Sequence, residues 1–191
     1  MKLIFATNNA HKLMEVQQLL DESFTLATPR DCGITEDIPE TAPTLEGNAL
    51  QKARYLYERT GENCFADDTG LEVDALGGEP GVRSARYATD GHDFKANNTL
   101  LMKNMEGIAN RNAHFRTVIA LILNGKEYLF EGRVDGVITT EELGDEGFGY
   151  DPLFTPDGFT ETFAQMSTAQ KGAISHRGRA VAKLVEFLKN I

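Results

Sequence analysis

The stretch that decides the fold is Phe65-Ala66-Asp67-Asp68-Thr69-Gly70, in which two adjacent carboxylates follow a short apolar run. The run from Cys64 to Ala66 predicts a buried strand that delivers both acids at its end. Mutual repulsion between neighbouring carboxylates is relieved by a cation or a proton, which favours a magnesium site. The alternative is an Asp-Asp-Thr-Gly turn whose side chains cap the backbone.

Before this stretch, the sequence predicts alternating strands and helices. Apolar runs rich in Leu, Ile and Phe indicate strands, and apolar residues at three- and four-residue spacing indicate helices with polar caps. The predicted elements are a strand over 2–7, a helix capped by Asn8 or Asn9, a strand over 24–28, a polar loop over 29–43 and a helix from Thr44 to Gly61.

After this stretch, Asn124-Gly125 is the strongest local signal, and it predicts a hairpin between strands over 114–123 and 127–138. Helices mixed with strands predict an α/β fold with a mixed β-sheet flanked by helices. A chain of 191 residues predicts a single domain over 1–191. The other predicted elements are an extended piece over 71–76, a loop over 77–81, a helix over 94–105, a glycine-rich loop over 144–156 and a last helix capped by Ser175.

The composition excludes several classes of function. A net charge of −10 argues against nucleic-acid binding, which depends on clustered lysine and arginine. No apolar run is long enough to span a bilayer, and the first residues lack a signal-peptide core, so we expect no membrane partner and a cytoplasmic location. Cys32 and Cys64 are expected to be reduced, and the four histidines lack zinc-ligand spacing.

A second polar segment, Thr7-Asn8-Asn9-Ala10-His11-Lys12, lies between a buried strand and a helix N-terminus. Backbone N–H groups and the positive end of the helix dipole attract phosphate at such a position, and Lys12 could reach back as a point charge. Ordinary helix capping with a solvated lysine is the alternative. The segment lacks the Gly-Lys-Ser/Thr ending of a P-loop, which disfavours a Walker-type site.

Two further segments offer stacking groups and hydrogen-bond donors. Gly147 to Pro152 contains two aromatic residues and a carboxylate among glycines, where a planar ring could stack or Phe148 could simply be buried. Lys171 is followed by Ser175-His176-Arg177-Gly178-Arg179, a group that donates many hydrogen bonds and accepts few. That group suits either a bound acceptor or a solvent-facing helix start.

Together these segments resemble the inosine triphosphate pyrophosphatase family, also called Ham1-like, in its bacterial form. The first segment is similar to the family's Thr/Ser-x-Asn-x-x-Lys start, and the acidic stretch to its Ala-Asp-Asp-Ser/Thr-Gly-Leu core. The resemblance covers nearly the whole chain. Five segments match in order and at compatible spacing: 7–12, 66–71, 76–87, 148–152 and 175–178.

The resemblance implies an elongated α/β structure with two lobes, a nucleotide cleft between them and assembly as a homodimer. It also implies hydrolysis of a nucleoside triphosphate to its monophosphate and pyrophosphate with Mg²⁺, for which Mn²⁺ could substitute. The implied substrates are ITP, dITP and XTP, whose removal keeps them out of DNA and RNA.

The resemblance assigns roles to individual residues as well. Asp68 would act as the base, and Glu40, Asp67 and Asp68 would hold the metal. The residues implied to bind phosphate are Thr7, Asn8, Asn9, Ala10, His11, Lys12 and Thr69. Those implied to form the base pocket are Phe148, Gly149, Tyr150, Asp151, Lys171, His176 and Arg177.

Three other functions remain open at this point. An aspartyl-phosphate phosphatase, with Asp67 attacking phosphorus and releasing orthophosphate, would carry Asp-x-Asp after its strand, which this chain lacks. A nucleotide sensor without turnover would use the same basic and aromatic groups, but clustered acids would repel a triphosphate unless a metal is bound. The third is a related pyrophosphatase acting on modified pyrimidine nucleotides.

Overall fold

The computed structural model describes residues 1–191 as six strands and five α-helices. The strands are β1 (Lys2–Phe5), β2 (Thr25–Ala27), β3 (Cys64–Val73), β4 (Asn112–Leu123), β5 (Lys126–Ile138) and β6 (Phe154–Pro156). The helices are α1 (Ala10–Leu19), α2 (Leu45–Thr60), α3 (Phe94–Asn104), α4 (Thr168–Ile174) and α5 (His176–Lys189).

The strands form one mixed sheet in the order β2-β1-β3-β4-β5-β6. β1 runs parallel to β2 and to β3, with Ile4 opposite Cys64 and Phe5 opposite Phe65. β6 runs antiparallel to β5 at the other edge. The predicted mixed sheet flanked by helices is therefore confirmed.

The chain divides into two compact units, each with its own core. In unit 1, successive side chains of β1 and β3 point to opposite faces of the sheet, as strand geometry requires. Ile4 and Ala66 pack in a core with α2, whereas Phe5 and Phe65 stack at 4.5 Å in a core with α1 and α5. Unit 1 consists of Met1–Asp68, Thr117–Gly132 and Arg177–Ile191.

Unit 2 has an aromatic core. The ring of Phe115 lies 4.7 Å from that of Phe154, and the ring of Phe154 lies 5.3 Å from that of Phe163. Unit 2 consists of Thr69–Arg116 and Arg133–His176, so neither unit is one continuous segment. The sequence predicted a single domain, and the interleaving explains why no linker marks the division.

The structure differs from the predicted elements at three places. β3 runs without a break from Cys64 to Val73, so Asp67 and Asp68 lie inside the strand and not at its end. α4 precedes the last helix, and the short β6 ends the segment that was predicted as a loop. These pieces are too short to carry a periodic pattern, and β6 is defined only by its pairing with β5.

No helix in the structure is both long and apolar enough to cross a membrane. Cys32 and Cys64 are both free thiols. Burial raises the pKa of the Cys64 thiol to about 12, so this cysteine is an inert part of the core.

Candidate active site

The two acids of β3 lie just past the end of a parallel neighbour. β1 ends at Phe5, opposite Phe65, and the chain then turns into α1. Asp67 and Asp68 follow Phe65 by only two and three residues. Ligands of α/β sheets bind beyond the carboxyl ends of parallel strands, and this is such a position.

The turn from β1 into α1 is capped by its own side chains. Oδ1 of Asn9 accepts hydrogen bonds from the backbone N–H of His11 at 3.0 Å and of Lys12 at 3.2 Å. The hydroxyl of Thr7 accepts from the N–H of Asn9 at 3.0 Å. Capping is therefore realised, but Lys12 is not a solvated lysine, because its Nζ lies 3.2 Å from Oδ1 of Asp67.

Asp67 is a buried carboxylate surrounded by cations. Lys12 contacts Oδ1, and Nε of Arg177 donates to Oδ2 at 3.2 Å. Nζ of Lys52 donates to the backbone carbonyl of Asp67 at 2.5 Å. Burial alone would raise the pKa of Asp67, but the cations, Lys12 foremost, outweigh it and hold the pKa well below its usual range. Asp67 therefore stays ionised.

Asp68 has a different environment although it is the next residue. Its Oδ2 accepts a hydrogen bond from Nδ2 of Asn48, a neutral amide, at 3.1 Å. Burial raises the pKa of Asp68 above its ordinary value, even though the charges of Lys52 and Lys12 oppose that shift. When the pKa values of adjacent carboxylates are pushed apart, the one with the raised pKa is the better proton acceptor. This favours Asp68 as the base.

Glu40 reaches the acidic pair through Lys52. Nζ of Lys52 lies 2.5 Å from Oε1 of Glu40, and the side chain of Lys52 is almost fully buried. Burial opposes the charge of Lys52, but attraction to Glu40, Asp68 and Asp67 outweighs it and raises the pKa, so this lysine is protonated. Glu36, another acid of the same loop, instead accepts from the hydroxyl of Tyr55 at 2.9 Å.

The acids suit magnesium by type but do not form a cage made only of protein ligands. No three side chains among His, Cys, Asp and Glu lie together as a metal-binding group. Carboxylate oxygens are nonetheless the ligands that Mg²⁺ prefers, and Mg²⁺ is usually held by one or two of them together with substrate phosphates. The acids are therefore of the right type for a metal that binds with a nucleotide, and the ligand set of Glu40, Asp67 and Asp68 stays a prediction.

The glycine-rich loop of unit 2 is organised around Asp151. Its Oδ2 accepts from the backbone N–H of Phe148 at 3.1 Å and from Nζ of Lys171 at 2.7 Å. Both partners of the ion pair are buried. Gly147 has φ +70°, and a Cβ there would lie 2.1 Å from Oδ2 of Asp151, so only glycine fits. With the loop in this conformation, the ring of Phe148 lies with its centre 5.0 Å from Nζ of Lys171, which is on α4.

Two further hydrogen bonds fix this loop. The hydroxyl of Tyr150 donates to the carbonyl of Ser84 at 2.6 Å, and Nδ2 of Asn98 donates to the carbonyl of Gly149 at 3.0 Å. Burial raises the pKa of Tyr150, which keeps its hydroxyl protonated as a donor. Both bonds tie the segment over 148–151 to other residues of unit 2.

His176 and Arg177 are neighbours in sequence but belong to different units. The ring of His176 stacks on Phe115 at 4.6 Å within unit 2. Arg177, 1% exposed, pairs within unit 1 with Asp67 and with Glu15, whose Oε2 lies 2.5 Å from Nη1. The structure therefore places Arg177 with the acidic pair, where buried carboxylates need a counter-charge, and its implied role in a base pocket stays a prediction.

Sequence reasoning missed Asn48, Lys52 and Glu15. The first two did leave a signal, since they are polar residues four apart on the face of α2 whose other members are apolar and buried. A polar pair at core positions of an amphipathic helix indicates partners elsewhere in the fold. Glu15 gave no such signal in the sequence, because its partner, Arg177, is 162 residues away.

Comparison with known proteins gives concordant results. Residues 3–187 match the family model described as the Ham1 family. A dITP/XTP pyrophosphatase from Flavobacterium psychrophilum is 50% identical over 190 residues, and the match covers 100% of both chains. One from Flavobacterium johnsoniae is 51% identical over 188 residues, covering 98% of each chain.

The fold also resembles solved structures. A HAM1 protein from Coxiella burnetii superposes with a TM-score of 0.91 at 34% sequence identity, covering 100% of both chains. The similarity therefore extends over both units and the whole sequence.

Proposed function

This chain belongs to the Ham1 family, and we propose from that membership and from its site that it hydrolyses noncanonical purine nucleoside triphosphates. The substrates are ITP, dITP and XTP, and the products are the monophosphate and pyrophosphate. Its relatives named dITP/XTP pyrophosphatase match it from end to end. The observation in the structure that supports the proposal best is the contrast between Asp67, ringed by cations, and Asp68, which accepts from a neutral amide.

We propose that the phosphates bind at the turn over 7–12 and at Thr69. Lys12 supplies a cationic donor from the first turn of α1, and the N-terminal end of that helix adds its partial positive charge. The base would contact the loop over 148–151 together with Lys171 and His176. The ion pair with Asp151, at 2.7 Å, and the position of its Nζ 5.0 Å from the centre of the Phe148 ring place the Lys171 ammonium group beside this loop.

In the proposed reaction Asp68 takes a proton from a water molecule. The water oxygen forms a bond to the α-phosphorus as the bond between that phosphorus and the oxygen of the β-phosphate breaks. The electron pair leaves with pyrophosphate, and the proton stays on Asp68. Asp67 keeps Lys12 in place. It does not attack phosphorus, because its two carboxylate oxygens are paired with Lys12 and Arg177.

We propose Glu40, Asp67 and Asp68 as the residues that hold a magnesium ion, with Mn²⁺ as a possible substitute. When bound, the ion would supply positive charge to the triphosphate. Lys52 positions Glu40 for this role, since its ammonium group contacts both the Glu40 carboxylate and the backbone of Asp67.

A product assay on a panel of nucleotides tests the proposed function. With Mg²⁺, we expect ITP, dITP and XTP to yield pyrophosphate, and ATP to be a poor substrate. The Lys171 ammonium group can donate to the O6 acceptor of hypoxanthine or xanthine, whereas the amino group of adenine offers it no acceptor. Orthophosphate as the product would indicate the phosphatase instead, binding without turnover would indicate a sensor, and preference for modified pyrimidine nucleotides would indicate the third alternative.

Removal of the metal should abolish activity. We expect no pyrophosphate release in excess chelator, full recovery with Mg²⁺ or Mn²⁺, and none with Ca²⁺. Calcium takes more ligands at longer distances and would not hold the phosphates in attack geometry. The matched control is the chelator already saturated with Mg²⁺, which should leave the rate unchanged. Activity that persists in free chelator would contradict the metal assignment.

We further propose, from the family alone, that the protein is a homodimer and acts in the cytoplasm, where nucleotides are consumed by polymerases. Light scattering that gives the monomer mass of 21.0 kDa at micromolar concentration would reject the dimer.

A further inference from the structure

Asn48 is a buried polar residue of α2 to which none of the proposed catalytic or binding roles is assigned. Its side-chain amide makes one hydrogen bond in each direction. Oδ1 accepts from the backbone N–H of Ala42 at 2.8 Å, and Nδ2 donates to Oδ2 of Asp68 at 3.1 Å. The amide therefore bridges the loop that carries Glu40 and the strand that carries the base.

The orientation of this amide is determined by the loop. A backbone N–H can only donate, so the N–H of Ala42 requires the oxygen end of the amide to face it. The opposite end, which carries the donors, must then face Asp68. Asn48 thus presents an N–H to the Asp68 carboxylate in a fixed direction.

The same face of α2 holds the loop at several points. Lys52, one turn after Asn48, contacts the carboxylate of Glu40, and positions four apart lie on one helix face. Gln51 makes a reciprocal pair with Thr41, accepting from its N–H and donating to its hydroxyl, both at 2.8 Å. Of Asn48 and Gln51, only Asn48 also reaches Asp68.

We propose that Asn48 is a positioning residue for the hydrolysis, whose amide aligns the Asp68 carboxylate with the loop that carries Glu40. This inference rests on the proposed function. The proposal depends on the hydrogen bond that Asn48 donates to Asp68. Residues that contact only the loop, such as Gln51, lack this bond.

Three variants separate these contributions. Asn48→Asp is nearly isosteric and keeps an oxygen for the N–H of Ala42, but it replaces the amide donor that faces Asp68 by a carboxyl group. Asn48→Ala removes both hydrogen bonds. Gln51→Ala is the matched control, because it releases the loop at Thr41 and leaves the Asn48 amide in place.

The experiment measures kcat and KM for ITP with Mg²⁺, together with the thermal midpoint of each variant. We expect both Asn48 variants to lose about 10-fold or more in kcat with KM within about threefold, as for a group that acts in the transition state. Gln51→Ala should keep kcat within about threefold of the wild type. Wild-type protein that releases no pyrophosphate from ITP would reject the proposed function itself.

Other outcomes overturn the positioning role while the wild type stays active. One is a kcat within about threefold of wild type for Asn48→Asp, since the Asp68 contact would then be dispensable. Another is a loss confined to KM, and a third is an equal loss in Gln51→Ala. Failure of both Asn48 variants to fold would mark the residue as structural only.

Discussion

Asp68→Asn is expected to lower kcat for ITP by about 100-fold or more, the usual scale for loss of a general base. Asparagine has nearly the same shape, so the fold and nucleotide binding should be retained. It cannot take a proton from water, which is the step assigned to Asp68. Steady-state kinetics with pyrophosphate detection provide the measurement, and KM should change little.

A matched substitution controls for the change of charge. Asp74 lies just after the same strand, is exposed and is not among the residues assigned to the site. Asp74→Asn should therefore leave kcat within about twofold of the wild type. If Asp68→Asn kept more than about a third of the wild-type kcat, Asp68 would not be the base.

Arg177→Ala is expected to lower the free energy of unfolding by about 3–5 kcal/mol, the cost of leaving buried charges without their partner. Arg177 is 1% exposed and holds both Asp67 and Glu15, which are buried as well. Its removal would leave two carboxylates without this counter-charge. Urea unfolding followed by circular dichroism measures the loss, and activity on all nucleotides should fall together.

Two comparisons make this prediction specific. Arg179→Ala removes an exposed arginine from the same helix and should change stability by only about 0.5 kcal/mol or less. In a Glu15→Gln background, Arg177→Ala should cost less, because one of the two charges is already gone. Unchanged stability together with a narrowed ratio of kcat/KM between ITP and ATP would instead support base recognition by Arg177.

Several elements could be predicted from the sequence because their causes are local. Thr44 caps α2 by accepting from the N–H of Gly47, and Gly61 ends the helix at φ +66°. Asn124 and Gly125 both adopt positive φ, at 52° and 80°, as the hairpin turn requires. A cap or a two-residue turn involves neighbours in the chain, so the residue types alone identify it.

Other elements depend on partners far away in the sequence. β6 is three residues long and exists through its register with β5, where Gly136 lies opposite Pro156. A Cβ at Gly136 would come within 2.3 Å of the Thr155 carbonyl, so the close approach of the strands explains that glycine. No local pattern predicts such a strand, because its hydrogen bonds are made to β5 and not within the segment itself.

The candidate site divides in the same way. The sequence by itself determined which residue types are present and in what order, including the acidic pair, the Lys12 turn and the loop around Asp151. Only the tertiary structure decided their partners: Asp67 meets Lys12 across 55 positions and Arg177 across 110. Burial makes each unpaired charge costly, so the pairing that the fold permits gives Asp67 and Asp68 opposite pKa shifts and separate roles.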